Sequence, residues 1–171
     1  MEKVILVDSN DKPFGTEEKI RAHELALLHR AFSVFVFNHK GEMMLQRRSL
    51  NKYHSPGLWS NSCCSHPRPG KDTLAEAHRR LIEEMGFDCD LQWKLSFIYK
   101  APFDNGLTEH EFDHVFFGTY DEDPVLNPGE VAEWKWIGME DLMSEVIKNP
   151  QDFTVWFKIA LEEITQDGLN I

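Results

Sequence analysis

The chain has 171 residues, of which 42% are hydrophobic and 27% charged, and its formal net charge at pH 7 is −11. This length can bury a large core, so we expect one domain over residues 1–171 without disulfide or metal staples. The negative charge argues against a general nucleic-acid binder, which needs a basic face.

Membrane insertion and secretion are also disfavoured by the sequence. The longest apolar stretch near the N-terminus, residues 4–7, is far shorter than the roughly 18 residues of a membrane span, and no signal-peptide pattern precedes it. The three cysteines, Cys63, Cys64 and Cys89, include an adjacent pair whose Cα atoms lie too close for an ordinary disulfide. Free thiols favour a reducing compartment, so we expect a cytoplasmic protein without a membrane partner.

The N-terminal half predicts a strand, a turn-rich stretch and then a hairpin. Residues 8–15 are rich in turn formers, and Thr16 is a candidate cap for a helical or irregular stretch leading to His23 and His29. Turn residues separate the two strands of the hairpin, and Pro56 with Gly57 breaks the chain before a further strand. The predicted strands are residues 4–7, 32–37, 42–46 and 59–64.

The C-terminal half contains the clearest predicted helix. Asp72 or Thr73 can cap it, it runs to about Met85, and Gly86 is its stop signal. Its apolar positions are Leu74, Ala77, Leu81 and Met85. Strands follow at residues 91–99, 111–120 and 133–137, and helices at 139–147 and 155–165. Strands and helices without regular alternation predict an α+β sandwich rather than a doubly wound sheet.

Three short segments carry candidate metal ligands and proton-transfer groups. They are His23 with His29, Cys64 with His66, and Glu109 with Glu111. Because side chains alternate faces in extended chain, Cys64 should share a side with His66, and Glu109 with Glu111, whereas Cys63 should face away. Imidazoles, a thiol and carboxylates around one cavity would support metal-assisted acid/base chemistry.

A cluster of basic residues stands out against the negative background. Its members are Arg47, Arg48, Lys52, Arg68, Lys71, Arg79 and Arg80. The clustering favours a bound phosphate or carboxylate, and a solvated charged face is the alternative.

Several motifs together identify a family resemblance. The segments are Lys19…His23…His29, Arg47-Arg48…Lys52, Pro56 to Pro67 (PGLWSNSCCSHP), Arg79 to Gly86 (RRLIEEMG), Tyr99, Glu109-His110-Glu111 and Trp156. With these segments the chain resembles the type 1 isopentenyl-diphosphate Δ-isomerases of the Nudix-fold superfamily. The resemblance covers nearly the whole chain and implies a Nudix-like α/β/α sandwich with a mixed sheet and flanking helices.

The chain departs from the motif of Nudix hydrolases, Gly-x5-Glu-x7-Arg-Glu-apolar-x-Glu-Glu-x-Gly. Aligned on Gly86, Ser65 replaces the first Gly, Lys71 the first Glu, and Arg80 the Glu that follows the Arg. Exchanging a carboxylate for a guanidinium turns a metal ligand into an anion-binding group. These replacements favour diphosphate binding without hydrolysis.

The resemblance implies a 1,3-allylic proton shift between isopentenyl and dimethylallyl diphosphate in isoprenoid biosynthesis. Glu111, helped by the Tyr99 hydroxyl, would deliver a proton, and Cys64 as thiolate would remove one. Cys63 and Ser65 stand where the family usually has an apolar and a small residue, and both are small enough to be tolerated. The implied diphosphate-binding residues are Lys19, Arg48, Lys52 and Arg80, with Arg47 possible and Trp156 covering the cationic centre.

The resemblance also implies two cations. One, Mn2+, Zn2+ or Mg2+, would be held by His23, His29, His66, Glu109 and Glu111. The other, Mg2+, would join Glu84 to the substrate diphosphate. Core packing of Trp156 and surface exposure of Glu83 and Glu84 are the structural alternatives.

Two other functions are weighed against the isomerase. A Nudix hydrolase of a nucleoside diphosphate derivative would need a glutamate at position 80 and has no use for Cys64. A structural zinc protein would need four Cys or His ligands, often as CxxC pairs, which the chain lacks. We expect a small diphosphate as substrate, no nucleic-acid partner, and a monomer or weak homodimer.

Overall fold

The structure is a computed structural model that describes residues 2–52 and 54–166. Within these ranges the chain forms one mixed sheet of nine strands with four α-helices. The strands are β1 (Lys3–Val7), β2 (Pro13–Glu18), β3 (His29–Phe37), β4 (Met43–Arg48), β5 (Trp59–Ser60), β6 (Cys63–Ser65), β7 (Leu91–Pro102), β8 (Thr108–Thr119) and β9 (Val131–Ile137). The helices are α1 (Lys19–Glu24), α2 (Thr73–Met85), α3 (Met139–Lys148) and α4 (Val155–Gln166).

The sheet separates two hydrophobic cores. α2 packs with Val34, Met44 and Phe116 on one face, and α4 packs with Phe35, Leu45 and Val115 on the other. β3 and β8 run parallel at the centre, and β7 pairs antiparallel with β8. The predicted α+β sandwich with a mixed sheet and flanking helices is confirmed. None of the helices in the described ranges has the length and apolarity to cross a bilayer.

α2 has the boundaries that its sequence predicts. The Asp72 side chain accepts a hydrogen bond from the Ala75 N–H, and Gly86 ends the helix in the left-handed conformation at φ 75°. A Cβ at Gly86 would lie 2.3 Å from the Val125 carbonyl oxygen, so only glycine lets the loop before β9 pack against the helix end. That contact brings the loop containing Glu130 to the side of α2 that carries Arg80.

Three local predictions are wrong. Thr16 lies inside β2 and caps no helix, because residues 13–18 pair with β1. The predicted strand at residues 59–64 is two short strands, since β5 pairs with β4 and β6 with β3. Leu74 is 37% exposed, so it does not belong to the buried stripe of α2. Each error arises where long-range pairing or packing overrides a local pattern.

Candidate active site

A cavity of about 70 Å3 opens at the ends of the central strands. The site residues predicted from the sequence line it, apart from Arg47, which lies outside, and His23 and His29, which are fully buried beside it. The lining residues are Lys19, Phe32, Ser33, Arg48, Lys52, His54, Cys64, Ser65, His66, Arg80, Glu84, Tyr99, Glu109, Glu111 and Trp156. The distant segments of the sequence therefore do converge.

Three histidines and one glutamate form a compact cluster of possible metal ligands, the donor cluster, at the inner end of the cavity. One ligand atom each from His23, His29, His66 and Glu111 lie within 4.8 Å of one another. α1 supplies His23, the first residue of β3 supplies His29, the residue after β6 supplies His66, and β8 supplies Glu111. Antiparallel pairing of β6 with β3 and parallel pairing of β8 with β3 bring the segments together.

The hydrogen bonds of two imidazoles determine which nitrogen carries the proton. His23 Nδ1 lies 2.6 Å from the Lys19 carbonyl oxygen, and His29 Nδ1 lies 2.8 Å from that of Leu27. A carbonyl oxygen can only accept, so each Nδ1 is the donor, and in the neutral ring Nε2 then carries the lone pair. Both lone pairs belong to the donor cluster.

This arrangement fits a bound cation. His23 Nε2 is buried and has no hydrogen-bond partner among residues 2–52 and 54–166, although buried polar atoms are almost always paired. His29 Nε2 and His66 Nε2 lie 3.2 Å apart, and His66 Nε2 lies 2.8 Å from Glu111 Oε1. Burial lowers the pKa of His66 to about 4 despite the nearby Glu111 charge, which keeps the ring neutral. Neutral imidazoles and a carboxylate suit a divalent cation.

Tyr99 links the two predicted carboxylates of β8. Its hydroxyl oxygen lies 2.9 Å from Glu109 Oε2 and 2.6 Å from Glu111 Oε2. One hydroxyl hydrogen cannot serve two carboxylates, so one carboxyl must carry a proton and donate it to Tyr99. Burial and the neighbouring Glu111 charge raise the pKa of Glu109, whereas burial is outweighed at Glu111 by the contact with His66, which lowers its pKa. The proton therefore resides on Glu109.

Glu109 lies outside the compact donor cluster, although the sequence predicts it as a fifth ligand. Its carboxyl meets Tyr99, and its Oε1 lies 3.8 Å from His54 Nε2. Its role as a metal ligand stays a prediction.

The two adjacent cysteines face opposite sides of the sheet, as the alternation of side chains predicts. Cys64 lines the cavity, whereas Cys63 is fully buried in the core beneath α2. Burial raises the pKa of the Cys64 thiol to about 12, Arg48 opposes this effect, and the carboxylates Glu84 and Glu111 add to it. In this state of the protein Cys64 carries its proton.

The opposite end of the cavity is cationic. Arg48 is 9% exposed, and its guanidinium carbon lies 4.9 Å from the centre of the Trp156 ring. Arg80 donates to Glu84 Oε1 at 2.6 Å and to Glu83 at 2.6 Å. The Nε atoms of Arg48 and Arg80 are buried without a hydrogen-bond partner within the described parts of the chain. Guanidinium groups with unused donors are ready to bind an oxyanion.

Arg47 lies outside the cavity, whereas His54 lies inside it. Arg47 donates to the Gly57 carbonyl oxygen and Glu133 and does not line the cavity, and its possible contact with the diphosphate stays a prediction. His54, for which no role was predicted, lines the cavity, stacks on Phe103 and meets the Trp156 ring edge-on. No periodic pattern marks the irregular segment that carries His54, so only its nearness to Lys52 could have indicated it.

Fold and site define a NUDIX-domain protein. The family model described as NUDIX domain matches residues 27–157. Among solved structures, the chain is similar to DR0079 from Deinococcus radiodurans, with a TM-score of 0.72, 22% identity and coverage of 86% of this chain and 90% of that one. It is also similar to the MutT protein from Methanosarcina mazei, with a TM-score of 0.65, 20% identity and coverage of 84% and 96%. At these identities the likeness concerns the fold alone.

Curated relatives show which family of NUDIX-domain proteins the chain belongs to. The chain is 51% identical over 169 residues to isopentenyl-diphosphate Delta-isomerase 2 of Photorhabdus laumondii, covering 99% of this chain and 96% of that protein. It is 50% identical over 163 residues to isopentenyl-diphosphate Delta-isomerase 2 of Aromatoleum aromaticum, covering 95% and 86%. The chain belongs to the isopentenyl-diphosphate Δ-isomerase family.

Proposed function

We propose that the protein interconverts isopentenyl diphosphate and dimethylallyl diphosphate by a 1,3-allylic proton shift. The observation that carries the proposal is one buried cavity with a thiol, a Tyr-linked carboxyl pair and cationic groups at its mouth. Moving the double bond requires adding a proton to the terminal carbon and removing one from the methylene carbon two positions away. The cavity contains groups able to do both.

The carboxyl pair on β8 suits the acid. Glu109 holds a proton, Tyr99 bridges it to Glu111 through contacts of 2.9 and 2.6 Å, and Glu111 is ionised. A proton that moves from Glu109 to Tyr99 while the Tyr99 proton moves to Glu111 loads Glu111 without any group leaving the cavity. Glu111 then protonates the terminal alkene carbon, and the positive charge develops at the tertiary carbon.

Cys64 is the proposed base in the direction that forms dimethylallyl diphosphate. As a thiolate it removes a proton from the methylene carbon, and it ends the reaction as a thiol. A protonated Cys64 and an ionised Glu111, which the raised pKa of Cys64 and the lowered pKa of Glu111 favour, are the state left after dimethylallyl diphosphate forms. The reverse reaction can start from this state directly, whereas the forward reaction first needs the Cys64 proton removed and Glu111 loaded.

The aromatic wall supports the cationic intermediate. Trp156 is 4% exposed, and its indole N–H donates to Ser60 Oγ at 3.0 Å, which fixes the ring. The Arg48 guanidinium already lies over this ring, so the ring tolerates a cation at close range. We propose that Trp156 helps to stabilise the substrate cation and to exclude the water that would quench it.

Two divalent cations complete the proposal. His23, His29, His66 and Glu111, with Glu109 as a further candidate, would hold Mn2+, Zn2+ or Mg2+ next to the acid. A cation bound by these residues would hold Glu111 in place and shift its proton affinity. Mg2+ would bind between Glu84 and the substrate diphosphate, whose remaining oxygens would meet Lys19, Arg48, Lys52 and Arg80.

Hydrolysis of a nucleoside diphosphate derivative is not favoured. Arg80 stands where a hydrolase has a metal-binding glutamate, and it forms ion pairs with Glu83 and Glu84. A hydrolase also has no use for the thiol of Cys64 inside the cavity. The relatives of about 50% identity are named as isomerases.

A side-by-side assay tests the function. The purified protein with added Mg2+ and Mn2+ is incubated with isopentenyl diphosphate and, separately, with nucleoside diphosphate sugars and dinucleotides. We expect dimethylallyl diphosphate to form and no phosphate-containing fragment to be released. Release of nucleoside monophosphate without isomerisation would overturn the proposal.

The setting of the enzyme is also a proposal. We infer a single domain over residues 1–171, of which residues 1, 53 and 167–171 lie outside the described part. Free thiols at Cys63, Cys64 and Cys89 favour the reducing cytoplasm. We also infer that the protein is a monomer or weak homodimer, acts on a small diphosphate and has no nucleic-acid or membrane partner.

A further inference from the structure

A second cavity of about 420 Å3 adjoins the first on its outer side. Lys19, Lys52, Ser65 and Arg80 line both cavities, so they stand at the boundary between them. The outer cavity adds two carboxylates, Glu2 and Glu130, that the sequence analysis did not single out. The proposed diphosphate position is therefore in contact with protein carboxylates.

Glu130 lies between two of the boundary cations. Its Oε2 contacts Lys52 Nζ in an ion pair and lies 3.3 Å from Arg80 Nη2. Its side chain is 24% exposed, so water screens these contacts only partly. Partial burial raises the pKa of Glu130, but the hydrogen bond from Lys52 and the charge of Arg80 outweigh burial and lower it. Glu130 is therefore an anion where the substrate should place one.

The backbone around Glu130 fixes it in this position. The Ser49 N–H donates to the Glu130 carbonyl oxygen at 2.9 Å, and the Glu130 N–H donates to the Asn127 carbonyl oxygen at 2.9 Å. The Asn127 N–H in turn donates to the Glu84 carbonyl oxygen at the end of α2 at 3.0 Å. These backbone hydrogen bonds hold residue 130 at the boundary of the two cavities without involving its side chain.

We propose that Glu130 is an internal competitor of the substrate: its carboxylate occupies the anion position between Lys52 and Arg80 until a diphosphate displaces it. The inference rests on the proposed function, because it requires the diphosphate to bind Lys52 and Arg80. With its second phosphoryl group a diphosphate can also bind Arg48 and Lys19, at Lys19 in competition with Glu2, whose Oε2 lies 3.2 Å from the Lys19 Nζ. Inorganic phosphate and carboxylates lack that second group, so at ordinary concentrations they leave Glu130 in place.

Binding of inorganic anions tests the inference without using the isomerase reaction. The affinities of the whole protein for inorganic diphosphate and for inorganic phosphate are measured by titration calorimetry without divalent cations. The variants are Glu130→Gln and Glu130→Ala. Glu133→Gln is the control, since it removes the same charge three residues further on, where Glu133 pairs with Arg47 outside both cavities.

We expect Glu130→Gln and Glu130→Ala to tighten the binding of both anions by about threefold to tenfold, in line with the loss of one partly exposed ion pair. Glu133→Gln should leave both affinities unchanged. Unchanged or weaker binding in both Glu130 variants would overturn the inference, because Glu130 would then only orient Lys52 and Arg80. Failure of the unaltered protein to bind diphosphate would instead overturn the proposed diphosphate site, and this inference with it.

Discussion

The two faces of β8 carry two polar clusters that contain similar residues and satisfy them differently. On the outer face, His114 has both ring nitrogens paired, with Nδ1 3.1 Å from Ser96 Oγ and Nε2 3.0 Å from Asp11 Oδ2. Arg30 Nε donates to the other carboxylate oxygen of Asp11 at 2.7 Å. On the inner face, His23 Nε2 has no partner within the described ranges.

The difference shows why counting histidines and acids is a weak guide to function. The outer cluster contains a serine, a histidine and an aspartate in a chain of hydrogen bonds, yet the side chains themselves satisfy the histidine and need no ligand. In the inner cluster the ligand atoms of the histidines and Glu111 lie close together, and the His23 Nε2 has no hydrogen-bond donor within the described ranges. A buried group left unsatisfied costs about 1–3 kcal/mol, so the inner cluster calls for a cation and the outer one does not.

The largest expected effect is that of Glu111→Gln on the inner face. The amide cannot deliver a proton and binds a divalent cation poorly, so we expect kcat for isomerisation to fall at least about 1000-fold. Bound metal, measured by elemental analysis after dialysis, should fall as well. His114→Gln on the outer face is the matched control, and it should retain kcat and bound metal.

The second effect separates the thiol from the metal. Cys64→Ala should reduce kcat by about 100-fold to 10,000-fold while bound metal stays unchanged, because Cys64 does not belong to the donor cluster. Cys63→Ala should keep most of the activity, since Cys63 lies in the core beneath α2. Equal losses of activity from the two substitutions would contradict the assignment of opposite faces.

A smaller effect is expected from breaking the outer cluster. His114→Phe leaves Ser96 and Asp11 without their shared partner, so the free energy of unfolding should fall by about 1–3 kcal/mol. Chemical denaturation measures this change, and kcat should stay within about twofold of the unaltered protein. A large loss of activity with unchanged stability would instead assign a catalytic task to the outer face.

The smallest expected effect is a pH dependence of that stability. Burial lowers the pKa of His114 below its usual 6.5, and the opposing effect of Asp11 is weaker. As the pH falls below about 6.5, the unfolded chain therefore takes up a proton at residue 114 before the folded protein does. The stability advantage over His114→Gln should shrink between pH 7 and pH 5. An advantage that grows over this range would mean that Asp11 outweighs burial.

Local signals in the sequence predicted the features that depend on neighbouring residues. Asp72 and Gly86 marked both ends of α2, and alternation placed Cys63 and Cys64 on opposite faces. That His23, His29, His66 and Glu111 meet rested on the family resemblance, because the pairing of β8 and β6 with β3 joins residues far apart in the chain. Local patterns carry no information about such pairing.

The missed residues lie in irregular segments. His54 follows β4 in the loop before β5, and Glu130 ends the loop before β9. Neither loop has a periodic pattern, and the loop before β9 is positioned by long-range contacts such as the fit of Gly86 against Val125. The family resemblance implied that Tyr99 helps Glu111, but the hydrogen bonds that link Tyr99 to both Glu109 and Glu111 could not be predicted, because alternation along a strand gives the side of a residue and no distances.

Proton NMR of isopentenyl diphosphate in D2O tests the central claim most directly. If Glu111 and Cys64 transfer protons across the cavity, the unaltered protein should form dimethylallyl diphosphate with deuterium in a methyl group, and Cys64→Ala and Glu111→Gln should form almost none. Conversion at an undiminished rate by either variant, or formation of the allylic isomer without any deuterium over many turnovers, would contradict the account.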